Sequence, residues 1–150
     1  MNGVLLDAKT DKWWNVRSLD VTVRHGRNSI AVEATNMWSQ DGIDRGFIAE
    51  LRVGWAIVSS GTTWKVSKVL VPGWETATFD AKGWRWAVNE GLDGIKPYGS
   101  VLGSNRAWWL WSYDSNVPVA SKPDMETVWL RHDFWLEPNG ALSDSPLGCP

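Results

Sequence analysis

The groups able to do acid–base, nucleophilic or metal chemistry in this chain are few and scattered. Of 150 residues, 2 are histidine, 1 is cysteine and 17 are acidic. His25 falls in the turn-like run His25-Gly26-Arg27-Asn28, where a solvated side chain is expected. His132 adjoins Asp133, but neighbours along a strand face opposite ways, so they form no ready dyad. It shares its phase with Leu130 and Phe134, which favours a hydrogen-bonded core histidine over a base. The single Cys149 excludes an internal disulfide and a cysteine zinc cage. No Gly-x-Ser-x-Gly, His-Glu-x-x-His, phosphate-cradling glycine loop or Cys-x-x-Cys occurs. Glycoside cleavage needs only two carboxylates at a set separation. Nothing marks such a pair, and acids gather with turn residues, as in Asp41-Gly42-Ile43-Asp44. The expectation is a protein that is not an enzyme.

Tryptophan is the unusual chemistry: 13 indoles stand beside 2 Tyr and 3 Phe. Each carries a large apolar surface and one N–H to satisfy. So many in one small domain imply a core built on indoles or several indoles at the surface, as on sugar-binding and protein-contact faces. In Trp109-Leu110-Trp111, two indoles share one strand face. They could make a platform for a sugar ring or a patch covered by another subunit. Trp38, with Asp41 and Arg45 in one loop, combines stacking with hydrogen bonding to hydroxyls, a candidate glycan contact; the alternative is an indole plugging the end of the fold. Trp129, Arg131 and Trp135 share a face with Asp133, opposite Val128 and Leu130, and are read as an assembly surface. Trp13-Trp14 and Trp108-Trp109 are adjacent pairs, so at least one of each is expected outside the main core.

The elements positioning these groups are short apolar-alternating runs cut by Gly, Asn, Asp and Pro. The run Asp20-Val21-Thr22-Val23-Arg24, a turn containing Gly26, and residues 29–35 predict a hairpin. Residues 47–53 and 64–70 predict further strands. Residues 127–136 give the clearest one, with Val128, Leu130, Phe134 and Leu136 on one face. Residues 76–88 come nearest to a helix, and Gly83 limits them to a turn of one. The pattern is that of an all-β sandwich or barrel. Residues 137–150 lack periodicity and read as a linker or extended arm.

The length suits one domain. With 15 basic and 17 acidic residues the net charge is −2 and the pI near 5.6. Neither a nucleic-acid backbone nor an anionic membrane would be attracted by such a balance. No apolar run approaches the ~20 residues of a membrane span. The opening Met1-Asn2-Gly3-Val4-Leu5-Leu6-Asp7 lacks the apolar core of a secretory signal. No Asn-x-Ser/Thr acceptor is present.

Two blocks resemble a known family. Asn2-Gly3, Trp14, Leu19-Asp-Val-Thr22, Gly26-Arg-Asn-Ser-Ile-Ala-Val-Glu-Ala-Thr-Asn36 and Ile48-Ala-Glu-Leu51 resemble the second half of the galactose-binding-like jelly-roll domains attached to bacterial glycoside hydrolases such as rhamnosidases. Trp64-Lys-Val-Ser67, Gly73-Trp74, Phe79-Asp80, Trp84, Ala87, Trp109-Leu-Trp111 and Val128-Trp-Leu-Arg-His-Asp-Phe134 are similar to the first half. Residues 1–58 would then be the second half and 62–136 the first, in permuted order. The resemblance implies an antiparallel jelly-roll β-sandwich, completed by its own termini, by a neighbouring repeat or by another subunit. It implies an extracellular or cell-surface setting. It also brings a structural calcium into view, for which Asp41 and Asp44 would supply oxygens, although their spacing is not that of a 12-residue calcium loop; a plain turn is the simpler expectation there. No other cofactor is expected. The rotated order, the surplus indoles and the lack of catalytic residues lead to a non-catalytic extracellular module assembling head-to-tail with copies of itself, as a multimer or filament. The alternative is a carbohydrate-binding module of a larger hydrolase or adhesin.

Overall fold

The computed structural model describes residues 1–10, 12–37, 45–112 and 125–144. Among the described residues, nine strands run in chain order: β1 (Gly26–Met37), β2 (Glu50–Val53), β3 (Ala56–Ser59), β4 (Lys65–Ser67), β5 (Arg85–Trp86), β6 (Val88–Leu92), β7 (Trp108–Trp111), β8 (Met125–Leu136) and β9 (Leu142–Ser143). All pairings are antiparallel, and no helix occurs among the described residues. The protein is all-β, as its alternating runs predict.

The strongest run in the sequence becomes the organising strand. β1 follows β8 along its whole length, from Gly26 opposite Leu136 to Met37 opposite Met125. The other side of β8 is shared. β4 pairs with Trp129–Arg131 and carries β5 beyond it, while β9 pairs with Trp135 and Leu136. A second layer holds the β2–β3 hairpin and the β6–β7 pair. Ser60 ties them together. Its hydroxyl donates to the Trp108 carbonyl (2.6 Å) and accepts from the Ala49 N–H (3.1 Å), and its N–H donates to the Ala49 carbonyl (2.9 Å).

The core lies between these layers: Trp64, Val66, Ala87, Leu110, Trp111, Val128 and Leu130, with Ile30, Val32, Ala34 and Phe47 packed on them. Burying each large apolar side chain contributes about 1.5–3 kcal/mol. The Trp64 indole N–H, 1 % exposed, donates to the Ser59 carbonyl (3.1 Å), so its burial leaves no polar group stranded. As expected, at least one indole of each pair, Trp13–Trp14 and Trp108–Trp109, lies outside this core. Trp14 is exposed, and Trp109 belongs to a separate aromatic cluster.

Several expectations are corrected. Only the second half of the hairpin forms, because residues 20–24 pair with no strand. The Asn28 side chain takes up both backbone groups of Arg24 instead, accepting its N–H (2.9 Å) and donating to its carbonyl (2.7 Å). The strand expected over 64–70 ends at Ser67. Its hydroxyl accepts the Val69 N–H (3.0 Å) and donates to the Val69 carbonyl (2.8 Å), which turns the chain aside. Residues 76–84 form turns. The expected arm from 137 first folds back through the Glu137 N–H to Ala141 carbonyl bond (2.9 Å) and adds β9 to the sheet.

Candidate functional site

β8 presents two faces, and β1 presents a free edge. On the face away from the core, Arg27 donates to Asp133 (2.9 Å) and to the Phe79 carbonyl (2.9 Å). Arg131 pairs with the other Asp133 oxygen (2.5 Å), donates to the Trp74 carbonyl and lies 5.5 Å from the Phe79 ring centre. The segment bearing Trp74, Phe79 and Trp84, with the two indoles stacked 6.2 Å apart, covers this end of the sheet. Arg131 is therefore 1 % exposed, which corrects its placement on an assembly surface. Trp129 and Trp135 on the same face remain half-exposed. Trp129 donates to Glu33 (3.1 Å), and Arg27 lies over Trp135 (5.6 Å).

The edge follows from one pair of hydrogen bonds. Ser29 donates its N–H to the Asn2 side-chain oxygen (2.8 Å) and accepts the Asn2 N–H at its carbonyl (3.0 Å). In an antiparallel ladder, both groups of a residue point to one side, and the side alternates along the strand. Ser29 thus faces away from β8, and so do Ala31, Glu33 and Thr35. Asn2 serves as a one-residue strand at the beginning of this edge. Among the described residues, β8 is the one strand paired with β1, and none of them pairs with the outer edge of β1 past Ser29.

A shallow cavity of about 310 Å³ opens where β4 and β9 leave a gap along β8, lined by Val58, Ser59, Thr63, His132, Phe134 and Asp144 among others. His132 is 3 % exposed, stacked on Trp64 (5.5 Å) and on Phe134 (6.2 Å). Its Nδ1 lies 3.3 Å from the Thr63 hydroxyl and 3.4 Å from the Thr63 carbonyl, and its Nε2 lies 3.5 Å from Asp144. Burial lowers its pKa, outweighing the Thr63 carbonyl and the Asp144 and Asp133 charges that raise it. Carboxylate, imidazole and hydroxyl stand in the order that activates a nucleophile. Every gap nonetheless exceeds the ~2.6–3.2 Å over which protons are passed. Asp144 is 63 % exposed, so water screens it. The geometry is that of the core histidine expected from its phase.

The proposed glycan contacts fare differently. Trp109 and Trp111 are 1 % and 3 % exposed, so neither offers a face for a sugar ring to stack on. Trp109 stacks on Tyr98 (4.2 Å) and meets Trp13 edge-on (6.3 Å). The Trp111 indole donates to Glu126 (2.9 Å), the carboxylate that also pairs with Arg45 (3.1 Å) and Lys68 (2.6 Å). Arg45 is thereby 9 % exposed and holds the start of β8 rather than facing solvent. Trp38, Asp41 and Asp44 lie outside the described residues. Among the described residues, no three His, Cys, Asp or Glu side chains gather as metal ligands.

Sequence reasoning missed Asp93, whose carboxylate accepts the N–H groups of Val101 (2.7 Å), Leu102 (3.1 Å) and Ser104 (2.9 Å) and the Ser100 hydroxyl (3.2 Å). Burial raises its pKa, but these donors together outweigh that and hold it low. The one sequence cue was an acid in a Gly-rich stretch, Gly91-Leu92-Asp93-Gly94.

Comparison with family models, with curated proteins and with solved structures finds no match for this chain. What stands is an all-β antiparallel protein with tryptophan clusters.

Proposed function

We propose that this chain is a non-catalytic structural module that assembles with copies of itself, extending its sheet across the subunit boundary along the outer edge of β1. The open edge carries this reading. A long strand whose N–H and C=O groups point into water is a template for another strand. Exposed apolar side chains add a drive to bury surface, among them Leu5 at 96 %, Trp14 at 55 %, Trp55 at 102 % and Trp86 at 60 % exposure. If each copy offers one edge and supplies one strand, the contact is heterologous, and repetition without closure gives a filament. The extracellular setting and the galactose-binding-like sandwich belong to the same proposal and rest on the resemblance of residues 2–51 and 64–134. Electron micrographs of the purified chain should show linear or ring-shaped assemblies of regular repeat. Fields of single ~17 kDa particles at high concentration would overturn the proposal.

A further inference from the structure

An added strand must come from somewhere, and the chain carries a segment built for it. Resting on the assembly reading above, we infer that residues 19–24 of one copy pair with residues 31–35 of β1 in a second copy.

Residues 19–24 have the pattern of a strand without the pairing of one. Leu19, Val21 and Val23 alternate with Asp20, Thr22 and Arg24, yet the segment belongs to no sheet and Leu19 is 41 % exposed. Pairing within the same chain is obstructed. A fold-back through residues 25–28 would use Ser29 as its first partner, and Asn2 already occupies both Ser29 backbone groups. Asn28 meanwhile holds the Arg24 N–H and carbonyl, so neither is available to pair with Ser29.

In a second copy, the groups of Ala31, Glu33 and Thr35 are reached without displacing Asn2. Strand alternation then sorts the side chains by face. Leu19, Val21 and Val23 join the face of Ile30, Val32 and Ala34 and extend the core layer. Asp20, Thr22 and Arg24 join the face of Glu33, Thr35 and Trp129, where Arg24 and Glu33 have opposite charges. Donor and acceptor therefore match in polarity on both faces, and the donor is long enough to span the open stretch.

Proline tests each half separately, since it removes the N–H an added strand needs while edge positions tolerate it. Thr22→Pro spoils the donor and keeps the edge, whereas Glu33→Pro spoils the edge and keeps the donor. Each variant, shown to be folded by near-UV circular dichroism, should be monomeric by light scattering. Their equimolar mixture should form one-to-one pairs of doubled mass. A Thr22→Pro chain that assembles like the native one overturns the inference while leaving assembly standing, and so does a folded mixture that stays monomeric. A native chain that is monomeric at every concentration removes the assembly reading itself. Glu33 also accepts the Trp129 indole, so Ala31→Pro replaces it if Glu33→Pro does not fold. A labelled peptide of residues 17–25 should also bind the native chain and shorten its assemblies, and absence of binding counts against the inference.

Discussion

Asn28→Ala offers the sharpest test of how the first 25 residues are fastened to the sheet. Asn28 is fully buried and uses its whole amide. Its oxygen accepts from the Asn2 side chain (2.9 Å) and the Arg24 N–H (2.9 Å), and its nitrogen donates to the carbonyls of Arg24 (2.7 Å) and Gly26 (2.9 Å). Each such bond contributes about 0.5–1.5 kcal/mol net, and a partner left buried and unsatisfied costs about 1–3 kcal/mol. Arg24 and Asn2 lie near the surface and can turn to water, which offsets part of the loss. The expected cost is about 2–3 kcal/mol, or about 5–10 °C in Tm for a domain of this size. Asn28→Asp keeps both acceptor contacts but sets a buried carboxylate oxygen against the Arg24 and Gly26 carbonyls, so it should cost at least as much as the alanine variant. Urea titration followed by tryptophan fluorescence measures the loss, and hydrogen exchange at the Ser29 amide reports whether the Asn2 contact loosens with it. A cost below about 0.5 kcal/mol, with unchanged exchange at Ser29, would refute this account of the N-terminal segment.

Other perturbations probe the rest of the structure. Gly46→Ala should destabilise by about 1–3 kcal/mol, because its Cβ would sit 2.8 Å from Trp109 and 3.3 Å from Tyr98, two stacked rings with little room to yield; thermal melts check it. Glu126→Gln should cost about 2–4 kcal/mol by leaving Arg45 and Lys68 beside a neutral amide and by replacing one of the two oxygens, the one taken by Lys68 or the one shared by Arg45 and Trp111, with a donor; denaturant titration checks it. His132 has a folded-state pKa below its ordinary 6.5, so the unfolded chain takes the proton first. Its contribution is complete above that value and is lost as the pH falls toward the folded-state pKa. Stability measured from about pH 7.5 down to pH 5 should decline, and His132→Phe should flatten the decline.

Much of the fold was legible because β8 is long and strictly alternating. Val128, Leu130 and Phe134 face the core as their phase predicts, and His132 follows them inward. What alternation could not show is what covers the opposite face. Arg131 reads as surface from its neighbours, yet Phe79 and the Trp74 carbonyl, remote in sequence, close over it. The Trp109-Leu110-Trp111 platform failed for a similar reason. β7 is covered on both faces, by the main core and by Tyr98 with Trp13, so a two-residue spacing of indoles does not by itself mean an open face. The hairpin expected at residues 20–35 does not form because, although its alternation is real, Ser29, the first partner on that edge, is held by Asn2. That competing contact comes from 27 residues away and leaves no local signal.

Concentration-dependent light scattering on the native chain beside its Glu33→Pro variant addresses the unpaired margin of β1 most directly. The native protein should rise in mass from the 16.8 kDa monomer as concentration increases, and the variant should remain at that value. Identical behaviour of the two, whether both assemble or both stay single, would contradict the role given to that strand.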